Sequence, residues 1–86
     1  MPELSRFFGV VITMYADDHN PPHFHATYGD DEALFDMVNG VFLKGNLPAK
    51  EARLVLAWYE IHREELLRNW DNLTNGKAHF KIKPLE

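Results

Sequence analysis

Residues 23–38 read HFHATYGDDEALFDMV, and the alternation in this stretch decides the fold. In an extended chain Phe24, Ala26 and Tyr28 fall on one side, and His23, His25 and Thr27 on the other. After Gly29, Asp30 and Asp31 the alternation resumes over 32–38, which predicts a second strand folded back on the first. With Asp30 and Asp31 as a two-residue turn, Phe24 faces Met37, Ala26 faces Phe35 and Tyr28 faces Ala33. That is a coherent apolar face. Slipping the pairing by one residue would set Phe24 against Asp36 and waste the core. The preferred register puts His23 opposite Val38 and His25 opposite Asp36, so a carboxylate stands beside His25.

Working upstream, FFGVVITMY at 7–15 reads as one strand, with Phe8, Val10, Ile12 and Met14 on one face and Phe7, Val11 and Tyr15 on the other. A strand apolar on both faces belongs in the middle of a sheet. Between the two strands, Asn20, Pro21 and Pro22 cannot continue a ladder, because proline lacks the donor and restricts its predecessor. Downstream, Asn39-Gly40 suits a type I′ hairpin turn into a short strand at about 41–45.

Residues 48–74 follow helical spacing. Pro48 suits the first turn, Glu51 the positive end of the dipole, and Gly76 a C-terminal cap. Val55, Trp58, His62, Leu66, Trp70 and Leu73 form the apolar stripe, widened by Leu54, Ile61 and Leu67. An unbroken helix here would run about 40 Å, long for so small a domain, so a break near 62–64 is expected. AHFKIK at 78–83 alternates again and predicts a terminal edge strand, with His79, Lys81 and Lys83 facing out. The expected fold is a single α+β domain over 1–86. It has a four- or five-stranded, mainly antiparallel sheet with one long helical segment, bent or split, packed on one face.

Composition narrows the function. The 86 residues contain no cysteine, which removes disulfides, thiolate metal sites and cysteine nucleophiles. No apolar run approaches the roughly 20 residues that span a bilayer, and the first 15 residues lack a small-residue cleavage site, so a cytoplasmic protein is expected. The net charge of −4 argues against a dedicated duplex-DNA binder, although a local basic stripe leaves RNA open.

The chemistry is concentrated in DDHNPPHFH at 17–25. His23 and His25, two apart on a strand, aim the same way and make a bidentate grip for a divalent transition metal, zinc first. His19, or a carboxylate such as Asp18, could complete it, with Asp36 orienting His25. Without a metal, His23, His25 and Asp36 could carry acid–base catalysis, as a small ribonuclease requires. The same patch could instead dock a protein partner or a nucleobase. Set against all three is an architectural turn, with Asp18 and Asn20 capping backbone donors and the histidines neutral and hydrogen-bonded. His62 is expected to be a partly buried helix residue.

Taken together, SRFFGVVITMYADDHNPPHFHATYG at 5–29, ALFDMVNGVFLKGNLP at 33–48, LAWYEIHREELLRNW at 56–70 and the closing KIKPLE resemble the bacterial domain-of-unknown-function family 4160. The matching motif is Asp18, His19, Pro21, Pro22, His23, Phe24 and His25, with Gly29 and Asp36 downstream. The resemblance implies a small stand-alone protein, often encoded beside another small protein in what resembles a toxin–antitoxin pair. It hands over no catalytic residues. The expected function is therefore an interaction component of such a pair, with a small protein partner, and with a homodimer and RNA as further candidate partners. The alternative is a small hydrolytic enzyme, a ribonuclease using His and Asp or a bound metal.

Overall fold

A computed structural model describes residues 2–15 and 20–86 of the chain. Five strands follow one another as β1 (Glu3–Phe7), β2 (Val10–Thr13), β3 (His23–Tyr28), β4 (Asp31–Asp36) and β5 (Val41–Gly45), and one helix, α1 (Ala49–Thr74), comes last. The strands form a single sheet in chain order, every neighbour antiparallel. This is the expected α+β architecture, with five strands.

Each hairpin departs from its expected form for a local reason. The apolar run at 7–15 is broken by a turn: Phe8 takes φ 48° and Gly9 φ 81°, and Phe7 pairs with Val10 across the two-residue loop. Positive φ at both central positions is the type I′ signature, which matches the twist of the flanking strands. The turn resets the pleat. Phe7 is buried with Val10, Ile12 and Met14, and Phe8 stands exposed on the turn.

At β3–β4 the register differs from the expected one by two residues. Tyr28 pairs with Asp31, Phe24 with Phe35, Ala26 with Ala33, and His23 with Asp36. Gly29 is the reason: it takes φ 59° at the first loop position, so the two-residue loop is Gly29-Asp30. Glycine carries the left-handed conformation at no steric cost, whereas an Asp30-Asp31 loop would impose it on aspartate. A shift of two preserves which side chains share a face, so Phe24 and Phe35 still stack in the core, centroids 5.0 Å apart. The pairing of His25 with Asp36 does not survive.

At β4–β5 the loop is four residues, Met37 to Gly40, closed by the Gly40 N–H on the Asp36 carbonyl at 2.9 Å, instead of a two-residue Asn39-Gly40 turn. Asp36 holds this loop: its Oδ1 accepts from the backbone N–H of Val38 (2.8 Å) and Asn39 (3.1 Å).

Helix α1 starts after Pro48 and is one continuous element with a kink at His62 (φ −111°, ψ 21°), inside the expected break. Its end is a Schellman motif: Lys77 N–H bonds the Asn72 carbonyl and Gly76 N–H the Leu73 carbonyl, with Gly76 at φ 75°. The kink re-aims the stripe. Val55, Trp58 and Tyr59 are buried before it, and Leu66, Asn69, Trp70 and Leu73 after it. Ile61, expected in the stripe, lies outside it and is exposed. Trp58 sits at the centre of the core, its ring 5.3 Å from Phe7 and edge-on to Phe24 at 5.9 Å.

Residues 77–86 form no strand, which corrects the expected edge strand at 78–83. Alternation there reflects the inward packing of Phe80 and Ile82. A single backbone bond, Ile82 N–H to the Leu4 carbonyl at 2.8 Å, joins the tail to β1. The side chain of Asn69 takes the place of a strand partner, donating to the Phe80 carbonyl (3.0 Å) and accepting from the Phe80 N–H (2.9 Å). Trp58 Nε1 donates to the Lys83 carbonyl at 3.0 Å. Asn69→Ala removes both Asn69 bonds at a fully buried position. The expected loss is about 2 kcal/mol in chemical denaturation, with the Phe80 amide losing its hydrogen-exchange protection. An unchanged Phe80 exchange rate would mean the tail is held by other contacts.

Candidate functional site

Strand β3 positions both described histidines of the cluster. Across the ladder His25 is paired with Thr13 on one side and Leu34 on the other, and Leu34 with Lys44. These residues lie on the face opposite Phe24, away from the packed side of α1. His23 and His25 ring centroids are 5.5 Å apart. The chain of rings continues both ways: Tyr15 meets His25 edge-on at 4.7 Å, and Trp70 from the helix reaches His23 at 5.4 Å.

Each imidazole is fixed through its Nδ1. In His23, Nδ1–H donates to the Pro21 carbonyl at 2.8 Å. In His25, Nδ1–H donates to Glu32 Oε2 at 3.2 Å. Both acceptors lack a proton to give, so each neutral ring is held as the Nδ1–H tautomer. An Nδ1 that donates in this way is not the atom that accepts a proton or binds a metal. His23 is nearly buried and His25 partly so, while the Glu32 side chain is 57% exposed. Glu32 is the diagonal neighbour of His25 across the two-residue shift described above. Beside them opens a hollow of about 220 Å³ bounded by His25, Glu32, Lys44 and Gly45, with Ala33 and Leu34 as its apolar part.

The one expected carboxylate partnership, His25 with Asp36, is thus not formed: Glu32 stands beside His25 instead. Asp36 lies across from His23, and its carboxylate is committed to the loop: besides the two backbone donors, Asn39 Nδ2 donates to Oδ2 at 2.8 Å. The Asn39 backbone N–H is the main cause holding the Asp36 carboxyl below its ordinary value. The Asn39 side chain, the Val38 N–H and the nearby charge of His23 add to this, and burial opposes it. A carboxyl whose pKa falls on folding stabilises the fold above its unfolded value and stops doing so as pH drops through the folded one. Stability is therefore expected to be intact at neutral pH and to fall below about pH 4. Asp36→Asn should flatten that decline in acid-titrated unfolding curves. A decline of unchanged steepness in the variant would assign it to other carboxylates.

Glu32, Lys44 and Tyr15 were not expected beside the histidines. Reading Gly29-Asp30 as the turn would have found Glu32. Lys44 required the bulge between Leu34 and Phe35, where the β4–β5 pairing shifts and Leu43 is left over. His62 lies outside the cluster: its Nδ1 meets Glu65 Oε1 at 2.6 Å and its ring lies 5.5 Å from Trp58. The expected metal ligands Asp18 and His19 lie outside the described residues. Among the described residues no three His, Asp or Glu side chains converge to hold a metal ion.

A family model described as "Domain of unknown function (DUF4160)" matches residues 9–71, a span that contains the histidine cluster, Glu32, Asp36 and Lys44. No curated protein and no solved structure matches the chain. Among the described residues no helix is long and apolar enough to cross a membrane.

Proposed function

The chain belongs to the DUF4160 family, a domain whose function is not known, and from that premise we propose that it is a protein-binding component of a two-gene, toxin–antitoxin-like pair, docking its partner through the face of the sheet around His25. One observation carries this reading. The body of the helix packs on the Phe24 face, reaching the other only where Trp70 meets His23, and that other face offers the hollow of about 220 Å³ with both charge signs on its rim, Glu32 and Lys44, and an apolar Leu34 between them. A hollow of that size suits one or two side chains of a partner and falls below the usual range for a drug-sized ligand. The rings of Tyr15 and His25 give the patch rigid, amphipathic contact area of the kind that anchors interfaces.

Co-expression with the product of the adjacent gene tests it. The two proteins are expected to co-purify in fixed ratio, and the double variant His25→Ala, Lys44→Ala to weaken the complex about tenfold while remaining folded. Absence of a complex, or a complex indifferent to the double variant, defeats the reading.

A second reading has its own support, the imidazole–carboxylate pair His25–Glu32 next to Lys44. In a small ribonuclease His25 Nε2 would take the ribose 2′-hydroxyl proton as the 2′-oxygen bonds to phosphorus. A protonated His23 would return a proton to the departing 5′-oxygen. Glu32 would then orient His25, the part first expected of Asp36. With zinc, the same two Nε2 atoms would serve as ligands, and metal content of the purified protein, compared with that of His25→Ala, tests for it. Growth arrest by the wild-type chain alone, relieved by His25→Ala, together with cleavage of RNA by the purified protein, would favour this reading over the first.

A further inference from the structure

The two edges of the sheet are not alike. Along β1 the C-terminal tail lies against the strand, with the Ile82 N–H donating to the Leu4 carbonyl and Lys81 ion-paired with Glu3 at 3.6 Å. Along β5 no described segment pairs with the outer side of the strand. Of the six large apolar residues exposed among those described, three gather at this edge: Val38 (51%), Val41 (51%) and Leu43 (48%). The hollow beside His25 opens at the same edge, since Lys44 and Gly45 of β5 form its rim. Lys44 makes no ion pair among the described residues, while Glu32 across the hollow is taken by His25.

Resting on the protein-binding reading above, we infer that β5 is the docking edge, and that its occupant is an extended segment of the partner that adds a sixth strand with an acidic side chain opposite Lys44 and an aliphatic side chain against Leu43. Strand addition takes its affinity from main-chain hydrogen bonds and its specificity from pockets that receive particular side chains. The hollow is such a pocket, and its unpaired cation selects a carboxylate. The same lysine disfavours a second copy of this chain as the occupant. The strand VFLKG carries no acid, so pairing β5 with β5 brings nothing to neutralise Lys44. An edge lysine thus blocks self-addition and admits an acidic strand.

The probe is a synthetic extended peptide with valine–glutamate–valine at its centre, titrated into isotope-labelled full-length protein and followed by amide chemical shifts. The expected result is that shifts and new exchange protection centre on Val41 to Gly45. A matched peptide with lysine in place of glutamate should bind about two- to fivefold more weakly. In Lys44→Glu, an exposed change that leaves the core intact, the order of the two peptides should reverse. Shifts centred away from β5, equal binding of both peptides, an order unchanged in Lys44→Glu, or no binding at all would each overturn the inference. Should the adjacent gene product still form its complex in any of those cases, the protein-binding reading stands and only its placement on β5 fails.

Discussion

Trp58→Ala is expected to lose about 4–6 kcal/mol of stability, the largest loss of any single side-chain truncation proposed for this domain. Trp58 is fully buried, packs on Phe7, Phe24 and His62, and donates to the Lys83 carbonyl. Truncating a core tryptophan costs about 3–5 kcal/mol, and the lost bond to the tail adds about 1 kcal/mol. A chain of this length has a total stability of roughly 4–13 kcal/mol, so the substitution takes a third of it at best. Urea unfolding followed by Trp70 fluorescence gives the measurement directly, because Trp70 remains as a reporter. Trp58→Phe, which keeps most of the apolar volume, should lose far less. A loss under about 1.5 kcal/mol in Trp58→Ala would show that helix and sheet are held together elsewhere.

The centrality of Trp58 was legible from helical spacing alone, and so were the sheet's faces. Phe24, Ala26, Phe35 and Met37 share the buried side as alternation requires. Face membership depends only on parity, and a register error of two residues leaves parity intact. That is why the core could be read while the partner of His25 could not: neighbours across a ladder depend on the turn, and the turn was decided by which residue takes positive φ. Gly29 was visible in the sequence and is the residue best suited to it. The extra hairpin at Phe8-Gly9 is a different matter. Phenylalanine in the left-handed region is contrary to its preference, and it sits there at the turn that pairs β1 with β2.

The tail shows the opposite failure. AHFKIK has strand periodicity, yet beyond the one backbone bond from Ile82 to Leu4 its described hydrogen bonds go to side chains of the helix, Asn69 and Trp58. Nothing in an alternating pattern distinguishes a ladder from an extended segment clamped by an amide. Within the site, His23 and His25 were foreseeable as a pair, because two residues apart on a strand means one side. The hollow was not, since it exists only where the bulge between Leu34 and Phe35 brings Lys44 and Gly45 up to Glu32 and His25.

That hollow is also where a single methyl group should do most damage. Gly45 takes φ 79°, and a Cβ built on it would lie 2.2 Å from the Glu32 carbonyl oxygen and 3.1 Å from Ala33 Cα. Both obstacles are backbone, so no side-chain rotation relieves them. Either β5 moves away from β4 or the Glu32 peptide turns, and the second route also costs the bond from the Asn46 N–H to that carbonyl. Left-handed alanine costs about 1–2 kcal/mol, and overpacking against fixed backbone about 1–3 kcal/mol more, so Gly45→Ala should lose about 3–4 kcal/mol in urea unfolding. Gly29→Ala is the control: its φ is also positive, at 59°, but nothing lies within 4 Å of the added carbon. It should show the conformational cost alone, about 1–2 kcal/mol. Because Glu32 is the partner of His25, the surviving folded fraction of Gly45→Ala should also bind more weakly at this face, and Gly29→Ala should bind as wild type does. Equal stability losses in the two variants would mean that β5 does not approach Glu32 as described, and the hollow with its lysine rim would have to be given up along with it.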